Sequence, residues 1–269
     1  MNIKIIDSLF SHAKYSTDFQ ESKHITWDRK PISQEDKMVF YTDNNLSNVN
    51  HAVENKIAWL VESKLITNNS YRWIRDHHHL FDNVLTHDKE LLDISDKFKL
   101  AIVGGCWIKP EDQMVYDKTK MVSIIASTKN MTYGHKLRHD AVNEVYGMNV
   151  YGRGYNPVDY KLKALKDYRY SVVIENAKYD YYFTEKLVDC FATGTIPIYW
   201  GCPSIGDLFD VSGMIIVDSL DDIKDAVASV SIGQYEGMLE YIESNFNKCK
   251  EYLIAEDYIY ENFIRGIIK

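Results

Sequence analysis

The sequence predicts an α/β protein with parallel strands, divided into two domains. Three observations carry that prediction. Short apolar runs alternate with polar, helix-compatible stretches; the rhythm breaks at a charged segment carrying Pro110 and then restarts; and 269 residues that are 45% apolar suffice for two cores.

In the first part, strands are expected at residues 38–42, 56–62 and 83–86, each a compact apolar run bounded by polar residues. After Ala101-Ile102-Val103-Gly104-Gly105 the polar stretch 109–120 marks the boundary, giving domains 1–115 and 116–269. The rhythm resumes with a strand at 121–126, a helix over 136–146 and a strand at 148–151. Residues 170–200 have the pattern of a βαβ unit: a strand at 170–174, a helix over 185–193 and a strand at 196–199. Thr184 suits the helix N-cap, Leu187, Val188, Phe191 and Ala192 share one helical face, and Gly194 sits where a glycine ends the helix. Beyond Tyr235, apolar residues recur at helical spacing, so amphipathic helices close the chain, the last of them free to pack back on the first domain.

The charge balance of 31 Lys+Arg against 39 Asp+Glu, a net charge of −8, disfavours a nucleic-acid partner, so any bound anion must meet a local cluster of cations. Cys106, Cys190, Cys202 and Cys249 form no C-x-x-C pair, which argues against a disulfide framework or a zinc knuckle and for buried thiols in a reducing compartment. The apolar run at the start is too short for a signal sequence, and no later run reaches the ~18 residues of a membrane span. The expectation is a soluble, cytoplasmic protein, at most peripheral at the inner membrane; the sequons at Asn45, Asn68 and Asn130 are chance matches in an Asn-rich chain.

Two strand-to-helix junctions could carry chemistry. Thr184-Glu185-Lys186 opens the helix of the βαβ unit, where free backbone N–H groups and a lysine favour an anion. His135-Lys136-Leu137-Arg138-His139 lies at the junction after residues 121–126, and Arg138 offers a planar fork of donors. Both junctions belong at the C-terminal rim of a parallel sheet, where open α/β sheets bind ligands. Spacing alone favours solvated helix surfaces at both junctions.

The run Tyr170-Ser171-Val172-Val173-Ile174-Glu175-Asn176, then Tyr182-Phe183-Thr184-Glu185-Lys186, then Gly194-Thr195-Ile196-Pro197-Ile198-Tyr199-Trp200-Gly201-Cys202-Pro203, resembles the signature of the family-10 glycosyltransferases, the α1,3/α1,4-fucosyltransferases. The resemblance implies a GT-B-like fold of two Rossmann-like domains facing a cleft. The C-terminal one binds the GDP-sugar and the N-terminal one the glycan acceptor. It implies metal-independent, inverting transfer of fucose from GDP-fucose, with no cofactor besides that co-substrate, in the synthesis of surface glycans such as lipopolysaccharide. Carried over by position, Arg138 and Lys186 hold the pyrophosphate, Glu185 bonds ribose or sugar hydroxyls, and Tyr182 lines the same pocket. Glu175 and Asn176 fix the loop that shapes it, and Gly152, in Gly152-Arg153-Gly154, passes near the nucleotide.

Such a transfer needs charge stabilisation on the leaving pyrophosphate and a base for the acceptor hydroxyl. The sequence has no strict Asp-x-Asp, so fixed cations must serve the first need. For the base, the resemblance implies a strand-terminal carboxylate of the N-terminal domain. Glu62 fits, and Phe40-Tyr41-Thr42-Asp43-Asn44 offers Asp43 one strand earlier. His77-His78-His79 are read as a surface run, since consecutive helical residues splay ~100° apart and cannot share one ion. The alternatives are a different nucleotide-sugar donor on the same site and a catalytically silent nucleotide- or glycan-binding module.

Overall fold

The structure, a computed structural model, describes residues 1–50 and 52–267; Ile268 and Lys269, the end of the expected second domain, lie outside the described residues. The chain forms two compact units. Unit 1 is Met1–Val103 with Asp180–Tyr182 and Ile254–Lys269; unit 2 is Gly104–Tyr179 with Phe183–Leu253.

Unit 1 is built on six parallel strands, β1 (Asn2–Ile6), β2 (Thr26–Asp28), β3 (Met38–Thr42), β4 (Asn55–Trp59), β5 (Asn83–Thr86) and β6 (Phe98–Leu100), in the order β2-β1-β3-β4-β5-β6. Its helices are α1 (Asn68–His77) and α2 (Lys89–Leu92). Both faces of the sheet are covered. Phe40, Ile57 and Trp59 enter one core, while Val39, Tyr41 and Ala58 enter another. That two-sided burial is why these strands read as continuous apolar runs rather than alternating ones.

Unit 2 holds β7 (Lys120–Ile125), α3 (Tyr133–Glu144), β8 (Met148–Tyr151), β9 (Tyr168–Ile174), α4 (Glu185–Phe191), β10 (Ile196–Trp200) and β11 (Ile215–Ile216), then α5 (Leu220–Ser229), α6 (Ile232–Gly237) and α7 (Leu239–Lys248). The sheet order is β11-β10-β9-β7-β8, all parallel. Val172 and Ile174 of β9 pack into the main core with Ile196 and Ile198 of β10. Against α4, Phe183, Phe191, Phe209 and Tyr252 form an aromatic cluster with centroids 4.8–5.5 Å apart. Gly104 bridges to Thr184 and the Gly105 N–H donates to the Tyr252 carbonyl at 2.8 Å, so the chain joins unit 2 at that point.

The final helix, α8 (Ala255–Ile259), returns to unit 1, where Ile254, Ala255, Ile259 and Ile264 lie in its core. Glu256 locks it there: its buried carboxylate accepts from Ser16 N, Ser16 Oγ and Trp27 Nε1, each at 2.7 Å.

Several expected elements differ in extent, α3 running Tyr133–Glu144 rather than 136–146, and two of the differences have a clear cause. β4 ends at Trp59 rather than at residue 62, because the N–H groups of Val61 and Glu62 turn to the Asp43 carboxylate instead of a strand partner. Helix α4 ends at Phe191, where the N–H groups of Thr193 and Thr195 both fold back onto the Cys190 carbonyl.

Candidate functional site

The C-terminal end of β9 organises unit 2. The Glu175 N–H still donates to the Trp200 carbonyl at 2.9 Å, which fixes its backbone as an extension of the ladder. Its side chain is fully buried and accepts from Thr184 N at 2.9 Å and Thr184 Oγ1 at 2.8 Å. The same carboxylate lies 3.4 Å from Lys186 Nζ, which also donates to Thr184 Oγ1 at 2.9 Å. A single buried anion thereby ties the start of α4 to the strand end and aims the lysine. Because α4 has only seven residues, its macrodipole is small and full charges must dominate any anion site here.

The second cation arrives at the adjacent residue. Arg138, on α3 and 6% exposed, donates from its guanidinium to the Ile174 carbonyl, one position before Glu175. Close approach of α3 to this segment requires Gly134: a Cβ there would stand 1.9 Å from the Glu175 carbonyl oxygen. His135 lies within the field of both cations. Burial first, then the charges of Arg138, Lys129 and Lys186, lowers it to about 4. It is neutral and serves a capping box with Thr132, whose Oγ1 lies 2.9 Å from its Nδ1. His139 is engaged by the Lys129 carbonyl at 2.9 Å and the Tyr155 hydroxyl at 2.6 Å.

Glu185 is held from its other side. Its Oε1 lies 3.1 Å from Lys161 Nζ and 3.7 Å from Lys186 Nζ, and Lys161 also reaches Asp189 Oδ2 at 2.9 Å. Burial acts to raise the Glu185 carboxyl, but Lys161 and then Lys186 overcome it and hold the group well below the usual carboxylate range. Gly152 ends β8 with φ +111°, and a Cβ there would meet the Ala126 carbonyl oxygen at 2.0 Å, so it follows β7 closely at the same rim. Asn176 is half-buried, with its backbone against Gly134. Tyr182 belongs to unit 1, buried with its ring 4.9 Å from that of His87, and the neighbouring Asp180 pairs with Lys89 at 2.9 Å.

In unit 1, the two candidate bases are neighbours. Asp43 follows β3 in a left-handed conformation, φ +30°, and is 1% exposed. It accepts from Val61 N at 2.9 Å, Glu62 N at 3.3 Å and Thr67 Oγ1 at 2.9 Å. Burial pushes its carboxyl up to about 7 against the pull of those hydrogen bonds. Glu62 is half-buried, and its carbonyl accepts from Tyr71 Oη at 2.6 Å. Asp43 therefore fixes the loop, and Glu62 presents the more accessible carboxylate.

The model of the family described as Glycosyltransferase family 10 (fucosyltransferase) C-term matches residues 115–253, just over half of the chain. This chain belongs to glycosyltransferase family 10. An α-(1,3)-fucosyltransferase, FucT of Helicobacter pylori, is 26% identical over 149 residues, 54% of this chain and 31% of its own; the chain thus spans about a third of the length of that curated relative. Solved structures of an α1,3-fucosyltransferase, one without a named ligand and one with GDP-fucose, match with TM-scores of 0.57 and 0.55 at 19% and 18% identity. They cover 89% and 97% of this chain and 82% and 90% of theirs. HepE of Anabaena in complex with UDP-glucose matches at TM-score 0.59 and 10% identity, covering 87% of this chain and 79% of its own. The fold is therefore of the GT-B type, with two parallel-sheet units of Rossmann-like construction.

Within this family-10 chain the histidine run is otherwise occupied. His77 stacks on Trp73 with centroids 4.4 Å apart, and the Nδ1 atoms of His77 and His78 meet the carbonyls of Trp73 and Arg75 at 2.8 and 2.9 Å. Sequence reasoning missed Lys161 and Asp189. Asp189 carried a weak signal as a carboxylate four residues after Glu185, on the same helix, whereas Lys161 carried none, being 24 residues away in a short turn.

Proposed function

We propose that this chain transfers fucose from GDP-fucose to a hydroxyl of a glycan, inverting the anomeric carbon and needing no metal ion. The observation that carries this reading is the arrival of Arg138 and Lys186, on different helices, at consecutive residues of one strand end, Ile174 and Glu175. The name of the Helicobacter relative and the GDP-fucose complex among the structural neighbours support the choice of donor.

In this reading the departing diphosphate collects negative charge as the glycosidic bond breaks, and the ammonium and guanidinium, already fixed by buried partners, meet it without reorganising. Glu185, kept ionised, is an acceptor-only group suited to ribose or sugar hydroxyls. Asn176 and Gly152 shape the same rim. Glu62 takes the proton of the acceptor hydroxyl, with Asp43 holding its loop. Replacing Glu62 by Gln should slow transfer by at least roughly 100-fold with little change in stability, since general-base catalysis contributes factors of 10²–10⁴. The domain roles follow: nucleotide sugar on unit 2, acceptor on unit 1. The product serves surface-glycan assembly, lipopolysaccharide included, in the cytoplasm. Among the described residues no helix is long and apolar enough to cross a membrane.

The test is a transfer assay with GDP-fucose and other nucleotide sugars against an oligosaccharide panel, with and without EDTA. NMR of the product then reads the anomeric configuration. Turnover with another donor and none with GDP-fucose would overturn the donor assignment; a rate lost in EDTA would overturn metal independence.

A further inference from the structure

The proposed chemistry leaves a half-buried lysine of unit 2, its side chain 17% exposed, without a role. Lys161 opens the turn Lys161–Ala164, and its ammonium lies 3.1 Å from Glu185 Oε1 and 2.9 Å from Asp189 Oδ2. The Trp107 ring closes another side, its centroid 4.3 Å from that nitrogen, and the Trp107 N–H donates to Asp189 Oδ1 at 2.6 Å. Glu185 and Asp189 stand four residues apart on α4, so two carboxylates share one helical face and repel each other unless a cation separates them. The Asp189 side chain is 1% exposed and saturated by Lys161 and Trp107, whereas that of Glu185 is 20% exposed and keeps an open side.

We propose that Lys161 is a positioning residue for donor recognition: its ammonium, wedged between Glu185 and Asp189 and roofed by Trp107, holds the Glu185 carboxylate ionised and oriented to accept hydrogen bonds from the hydroxyls of a nucleotide sugar. This rests on the reading of Glu185 as the donor-hydroxyl contact. The charged groups facing Glu185 are Lys161, from the turn before β9, and Lys186 and Asp189 of its own helix. Without Lys161, Lys186 at 3.7 Å and the Thr184 hydrogen bond remain against burial, and the Glu185 carboxyl must rise.

The test compares the wild-type chain with the double variant Lys161→Met/Asp189→Asn, which leaves no buried charge unpaired, and with Lys161→Arg. A ¹³C NMR titration of the ligand-free proteins, with Glu185 assigned through Glu185→Gln, reads the carboxylate directly. Calorimetry with GDP-fucose from pH 5 to 8 reads its use. The double variant should titrate Glu185 at higher pH, bind GDP-fucose roughly tenfold more weakly at pH 7, and weaken further toward pH 5, in line with loss of a charge-assisted hydrogen bond. Lys161→Arg should stay within about threefold of wild type, since it keeps the charge. An unmoved Glu185 titration in the double variant overturns the proposal, and so does a moved titration with wild-type GDP-fucose affinity. A wild-type chain that binds no GDP-fucose overturns the donor reading and this proposal with it, a failure told apart because the ligand-free titration still shows whether Lys161 grips Glu185.

Discussion

Replacing Glu175 by Gln probes the organisation of the site through a change of one atom. The native carboxylate accepts from two groups of Thr184 and faces the Lys186 ammonium at 3.4 Å, all without solvent contact of its own. A glutamine amide must place its NH₂ on one side or the other. At the Oε1 position it confronts the Thr184 N–H, donor to donor at 2.9 Å. At the Oε2 position it confronts Lys186 Nζ and a Thr184 hydroxyl that already accepts from that lysine. Either way one buried donor is unpaired, costing about 1–3 kcal/mol, and one charge-assisted contact is lost, worth about 1.5–3 kcal/mol. Because Lys186 retains some solvent exposure, the lower half of that sum applies, roughly 2.5–4 kcal/mol. Urea unfolding at pH 7 measures it as a shift of midpoint at constant slope, and calorimetry on the folded variant should show weaker GDP binding because Lys186 has lost its anchor. A stability change below about 0.5 kcal/mol, together with wild-type GDP affinity, would refute the view that Glu175 organises the start of α4.

Lys186→Ala and Arg138→Ala should each reduce transition-state stabilisation by roughly 2–4 kcal/mol, read as kcat/KM and GDP affinity. Arg138→Ala should also lower the unfolding midpoint more, because its guanidinium is the more deeply buried and serves the Ile174 carbonyl. Gly134→Ala, with a Cβ 1.9 Å from a backbone oxygen that cannot rotate away, should force α3 off the end of β9 and weaken both stability and GDP binding; wild-type values for both would reject the packing. Asp43 gives a pH prediction of definite sign. Its folded value near 7 lies above the ordinary value near 4, so the fold favours the protonated form, and the stability it contributes is complete below about pH 4 and lost as pH rises to about 7. The destabilisation caused by Asp43→Asn should therefore be larger at pH 5 than at pH 8, and equal urea midpoint shifts at the two pH values would contradict it.

How much of this was legible in the sequence depends on whether the governing interaction is local. The strands at 38–42, 83–86 and 148–151 could be read residue by residue because burial and sharp polar ends mark them in the chain itself. By contrast β2, at three residues, is too short to show a pattern, and its parallel pairing with β1 is what marks it as a strand. The same division runs through the site. Thr184 and the helix it caps follow from neighbours two residues apart, and so were visible. The choice between Asp43 and Glu62 was posed as a rivalry because the residues sit on separate strands. The hydrogen bond from the Glu62 N–H to Asp43 joins them, and it arises only when β3 and β4 align with Thr42 opposite Trp59. Lys161 marks the limit most clearly. A lysine in a polar turn looks like any solvated charge, and what makes it different is two carboxylates presented by a helix formed 24 residues later. Composition and spacing can report that a charge exists; only the fold decides whether water or a buried carboxylate answers it. For that reason His135, neutral within a basic run, and Lys161, gripped by two carboxylates, both take their state from contacts made where helices meet the end of β9.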